Sequence, residues 1–203
     1  MSVPTALVSE PAAQPEPASE APAKVERAPL RDLLPTGTLR VAVAVASVAL
    51  IAGSFARYGF SGTALVGVVF CPALVLLAVI DMKHRLLPNA IVLPASLAVG
   101  LIVAVSTPGD FLAHFLAGLA LGGFFFAFAA IFPGSLGMGD AKLGFLLGLA
   151  LGAKTLGATL IAFAGLLVAA LYILATRGAS ARKDSVPFGP FLALGGVLAF
   201  FLG

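Results

Sequence analysis

Seven apolar runs, each closed by a charged or turn-forming segment, limit this chain to one kind of architecture. They cover residues 39–55, 63–80, 90–105, 111–132, 140–151, 156–176 and 187–202. A helix needs about 20 mainly apolar residues to cross hydrocarbon, where the backbone must satisfy its own hydrogen bonds. The expected fold is therefore all-α, a polytopic membrane helix bundle of about seven transmembrane spans. Composition agrees, because only 10% of the residues are charged and 60% are hydrophobic, against roughly 25% charged in a soluble domain. The fifth run is short, which places its first turn below the membrane surface rather than at it.

The chain divides at about residue 38. Residues 1–38 are rich in Ala, Pro and Glu, with almost no large apolar side chain before Leu30. Such a segment cannot bury enough surface to order itself, so a disordered tail is expected. The first thirty residues lack the basic-then-apolar order of a signal peptide. Residues 39–203 form the expected membrane domain.

Orientation follows from the basic residues. With the tail inside and the side alternating at each span, Lys24, Arg27, Arg31, Arg40, Lys83, Arg85, Lys142, Arg177, Arg182 and Lys183 fall inside. Only Arg57 and Lys154 fall outside. This bias points to a cytoplasmic N-terminus in a multi-pass plasma-membrane protein. The cations are too few, and too little interleaved with aromatics, to suggest nucleic acid, so the lipid bilayer is the expected surroundings.

Two carboxylates stand out on that topology. Asp81 ends the second run, Asp140 begins the fifth, and the two runs between them go out and return. Both aspartates are thus expected at similar depth on the cytoplasmic side. Helices pack about 8–10 Å apart, which lets inward-facing carboxyl groups meet over one water. Neighbouring carboxylates in a poorly hydrated site share a proton, so one serves as base and the other as acid. That is the constellation of an aspartic protease, which needs neither metal nor cofactor. The plainer reading leaves Asp140 paired with Lys142, and Asp81 neutralised at the interface by Lys83 and Arg85.

Three stretches sharpen the choice. Asp81-Met82-Lys83-His84-Arg85-Leu86-Leu87-Pro88-Asn89 has an Asp, a basic residue and an apolar-Pro-Asn step. Gly137-Met138-Gly139-Asp140-Ala141-Lys142 is a GxGDxK box, and Val186-Pro187-Phe188-Gly189-Pro190-Phe191 carries Pro-Phe-Gly-Pro ahead of the last run. In these stretches the chain resembles the prepilin peptidases, membrane aspartic proteases of the GxGD type, from about residue 63 to the C-terminus. The resemblance implies that Asp81 and Asp140 are catalytic. It also implies a prepilin or pseudopilin precursor as substrate, cut at the cytoplasmic face between a basic leader and an apolar helix, with pilus assembly or secretion machinery nearby. Large family members add a cysteine-rich domain and N-methylate the product. With Cys71 as its one cysteine, this chain looks like the short form, and methylation is not carried over.

The remaining motif residues have supporting expectations. Gly137 and Gly139 offer clearance for a substrate strand, Arg85 and Lys83 hold the Asp81 end in the headgroup region rather than contacting substrate, and Pro88 and Asn89 complete the first motif. Lys142 either tunes the site or reaches to lipid phosphate. Phe188 and Pro190 are placed at a substrate entrance. His84 is a surface histidine, and His114 packs or lies at the interface with no second metal ligand beside it. Gly118 and Gly122, with Gly144, Gly148 and Gly152, recur every fourth residue and suggest closely packed helices. The rival from another class is a proton-coupled small transporter using the same aspartates as relay groups. It needs ionisable groups continuing outward, for which the sequence offers Asp110, His114 and Lys154.

Overall fold

The structure is a computed structural model that describes residues 30–132, 136–177 and 186–203. Each of the seven apolar runs forms a helix, and a helical turn precedes them. In chain order these are α1 (Leu30–Leu33), α2 (Gly37–Tyr58), α3 (Gly62–His84), α4 (Asn89–Ser106), α5 (Phe111–Ile131), α6 (Met138–Leu151), α7 (Thr155–Arg177) and α8 (Gly189–Leu202). The described residues contain no strand. The expected tail falls largely on residues 1–29, which lie outside the described residues, as do the expected break at 133–135 and most of the polar loop before residue 186.

Five stretches are long and apolar enough to cross a membrane, and the last of them, Met138–Arg177, holds both α6 and α7. A short 3-10 turn, Gly152–Lys154, divides the two. Gly152 has φ 54°, a left-handed conformation that suits glycine, and the chain reverses there. Contacts on either side establish the reversal. Gly118 of α5 abuts Gly148, and Gly122 abuts Ala141, so α6 runs back along α5. Phe163 of α7 meets Phe188, while Lys154 lies against Gly203, so α7 runs antiparallel to α8.

The glycine ladder acts as expected in a medium where helices associate by close packing rather than by hiding apolar surface. A Cβ on Gly148 would lie 2.2 Å from the Gly118 nitrogen, and one on Gly195 2.2 Å from the Ala158 carbonyl oxygen. These contacts bring α5 to α6 and α7 to α8. Helix α6 is enclosed by α4, α5 and α8, and its Leu143, Leu146 and Leu147 are fully buried with Phe70, Leu74, Leu77 and Leu192. Helix α2 is the least buried of the long helices and packs on α3.

Both α6 and α8 have 14 residues, about 21 Å each at 1.5 Å per residue. Their neighbours are longer. Helix α5 continues from Gly122 to Ile131 past the start of α6, and α7 continues from Gly165 to Arg177 past the first turn of α8. The starts of α6 and α8 therefore lie in a recess beneath the ends of α5 and α7. At the opposite end of the bundle, Arg57 and Lys154 approach the same Tyr58 ring, 5.4 and 5.9 Å from its centroid.

Candidate active site

The recess holds both aspartates. Asp81 lies in the last turn of α3, which stops at once because Arg85 takes a left-handed conformation, φ 51° and ψ 38°, and donates its N–H to the Asp81 carbonyl at 2.9 Å. That conformation costs a residue with a Cβ about 1–2 kcal/mol. Leu86, Leu87 and Pro88 then turn the chain into α4, which begins at Asn89. Asp140 lies in the first turn of α6. Relative exposure is 7% for Asp81 and 9% for Asp140, so both carboxyl groups are removed from bulk solvent, and they lie within electrostatic reach of each other.

Each carboxylate is held in the same way. Oδ2 of Asp140 accepts the Gly137 N–H at 3.1 Å, reaching back to the start of its own helix. Oδ2 of Asp81 accepts the Gly189 N–H at 3.0 Å, at the start of α8. Unpaired N–H groups at a helix start favour a nearby anion, so two short helices each offer one to the pair. Among the described residues no donor reaches either Oδ1.

The supporting motif residues link the two aspartate segments. Lys142 Nζ donates to Asn89 Oδ1 at 2.7 Å, and among the described residues it makes no ion pair with Asp140. It ties the start of α6 to the start of α4. The clearance at Gly139 is filled by this chain itself: a Cβ there would lie 2.7 Å from Leu87 Cβ. Gly137 is exposed and serves through its N–H. Arg85 brings a positive charge near Asp81, whereas Lys83 and His84 are exposed.

Phe188 is buried rather than open, with ring centroids 5.6 Å from Phe125 and 5.4 Å from Phe163. It wedges the start of α8 in place. Pro190 is half-buried in the first turn of that helix. Sequence reasoning did not single out Gly189, Leu87, Phe125 or Phe163. The Pro-Phe-Gly-Pro motif did carry a signal for Gly189, since a glycine between Phe188 and Pro190 at a helix start is a residue type that permits close approach of another group.

The ionisable groups expected on the outer side gather at the other end. Asp110, His114 and Lys154 line a cavity of about 180 Å³ with Thr63, Ser106 and Thr107. Nδ1 of His114 donates to the Leu149 carbonyl at 2.8 Å, which pins the end of α6. The buried layer of Phe70, Leu74, Leu77, Leu143, Leu146, Leu147 and Leu192 separates this cavity from the aspartates. Cys71 is buried as well.

Two buried carboxylates from separate helices, at one end of an all-α bundle with membrane-spanning helices, define a multi-pass membrane protein with a paired-aspartate centre. Residues 68–174 match the Type IV leader peptidase family, and the chain belongs to that family. Its relatives include the prepilin leader peptidase/N-methyltransferase of Bacillus subtilis strain 168, 36% identical over 168 residues, covering 80% of this chain and 65% of the relative. The protein of that name from Burkholderia pseudomallei strain 1026b is 35% identical over 178 residues, covering 83% of this chain and 56% of the relative. The one from Pseudomonas putida is 37% identical over 155 residues, covering 72% and 53%. The chain thus spans between about half and two thirds of the length of these relatives. No solved structure matches it.

Proposed function

We propose that this protein is a membrane aspartic endopeptidase that removes the basic leader from type IV prepilin-like or pseudopilin precursors at the cytoplasmic face of the plasma membrane, with its own N-terminus in the cytoplasm. The observation that carries this reading is the pair Asp81 and Asp140, both buried, each bonded through Oδ2 to a helix-start N–H. In the reaction, the ionised carboxylate takes a proton from water as its oxygen attacks the scissile carbonyl carbon. The protonated carboxyl donates to the carbonyl oxygen. Collapse of the tetrahedral carbon then breaks the C–N bond, and the departing amine leaves with a proton returned by the pair. The products are a leader carboxylate and a new N-terminal amine.

Arg85 and the converging helix starts of α6 and α8 supply positive potential to a site that must carry at least one negative charge through the cycle. The transporter reading is disfavoured by the buried apolar layer between the aspartates and the Asp110, His114 and Lys154 cavity, since a relay needs polar groups along its length. The test is cleavage of a purified pilin-like precursor by the reconstituted protein, with N-terminal sequencing of the product. Processing that survives both Asp81→Asn and Asp140→Asn would sink the mechanism.

A further inference from the structure

Resting on the peptidase reading, we propose that Gly189 is a positioning residue for the reaction: its backbone N–H, presented by the first turn of α8, holds Asp81 in a single orientation towards Asp140. The 3.0 Å bond to Asp81 Oδ2 joins two buried groups. A hydrogen bond to an ionised acceptor is about twice as strong as one between neutral groups. Pro190 has no N–H, so Gly189 is the donor that this end of α8 can offer beside the carboxylate.

The space left by the missing side chain at this position lies against Asp81. A Cβ on Gly189 would lie 2.6 Å from Oδ2, 3.0 Å from Cγ and 3.1 Å from Cβ of Asp81. All three nearest atoms belong to the aspartate. The backbone of Gly189 is not left-handed, so the glycine is needed for space and not for conformational freedom. The donor is also firmly mounted. Phe188 sits between Phe125 and Phe163, its carbonyl accepts the N–H groups of Phe191 and Leu192, both at 3.1 Å, and Leu192 is fully buried. A methyl group at residue 189 therefore moves the carboxylate rather than the helix.

Misplacing a reacting group by about 1 Å costs about 10²-fold in rate. The full-length Gly189→Ala variant, reconstituted in lipid, is expected to lose about 10- to 100-fold in kcat on a pilin-like precursor while KM changes less than about threefold. Its melting temperature is expected to fall. The same substitution in an Asp81→Ala background, where Oδ2 and Cγ are gone and only the 3.1 Å approach to Cβ remains, is expected to lower the melting temperature by less than half as much. Gly195→Ala, whose collision is with the Ala158 carbonyl, is expected to lower melting in both backgrounds and so reports a purely structural fault. An inserted Gly189→Ala enzyme with unaltered kcat overturns the proposal. So does an equal melting penalty in both backgrounds. Should Gly189→Ala fail to insert, the Asp81→Ala/Gly189→Ala double variant is expected to insert, and its failure also overturns the contact. Processing that survives Asp81→Asn is a separate result: it removes the peptidase reading and the catalytic consequence with it, while the melting cycle still reports the contact.

Discussion

The lysine of the GxGDxK box has its partner 53 positions away, in Asn89. A hydrogen bond with a charged donor is worth about 1.5–3 kcal/mol net, and this one spans the two segments that carry Asp81 and Asp140. Lys142→Ala and Asn89→Ala are each expected to lower processing, and the double variant is expected to be no worse than the more damaged single one. A double-mutant cycle on cleavage rate checks this, because residues that act only through each other are non-additive. The aspartates themselves are expected to behave differently. Asp81→Asn and Asp140→Asn keep the shape of the side chain and are expected to lose about 10²–10⁴-fold in rate, the usual span of general acid–base catalysis, with the melting temperature held or raised. Precursor cleavage and thermal unfolding, measured on the same preparations, separate the two effects.

Among the helices, the α5–α6 pair is the most closely fitted. A Cβ on Gly148 would fall 2.2 Å from one backbone atom and 2.3 Å from another in α5, so no side-chain adjustment can relieve it. Gly148→Leu is expected to cost at least the roughly 1–3 kcal/mol of an overpacked core and to reduce cleavage by shifting α6 and hence Asp140. Unchanged activity in a normally inserted variant would count against that coupling. The four-residue glycine period made this contact legible in the sequence, as did the equal depth of Asp81 and Asp140, because both follow from helical spacing and span order. The bonds of Gly189 to Asp81 and Lys142 to Asn89 were not legible. In a soluble protein the polar face of each helix tells which side turns inward, but these helices are apolar all round, so nothing in the pattern gives their rotation. Leu87 escaped notice for the same reason: the space left by Gly139 looks identical whether a substrate or this chain fills it.

For the bundle as a whole, the proposed orientation places the aspartate end in the cytoplasm and the Arg57, Tyr58 and Lys154 cluster outside. Cys71 is fully buried, which makes the natural chain a quiet background for thiol labelling. In intact cells, Phe60→Cys, at a fully exposed position, is expected to react with a membrane-impermeant maleimide, whereas His84→Cys is expected to react only after the membrane is opened. The opposite pattern would invert the topology. The recess under α5 and α7 also places a demand on the other molecule. Helices of about 21 Å fall about 9 Å short of a hydrocarbon layer of about 30 Å. A chain in extended form covers that distance in about three residues, at roughly 3.3 Å each. A carbonyl tied into a helical hydrogen bond is shielded from an attacking water, so under the proposed function a helical precursor is expected to unwind at its cleavage junction before the aspartate pair acts. Glycine in a helix is less favourable than alanine by about 1 kcal/mol. Under the proposed function, a precursor with glycine at a helical junction is therefore expected to be cut about fivefold faster than its alanine counterpart, which would make the ease of melting that helix part of the selectivity.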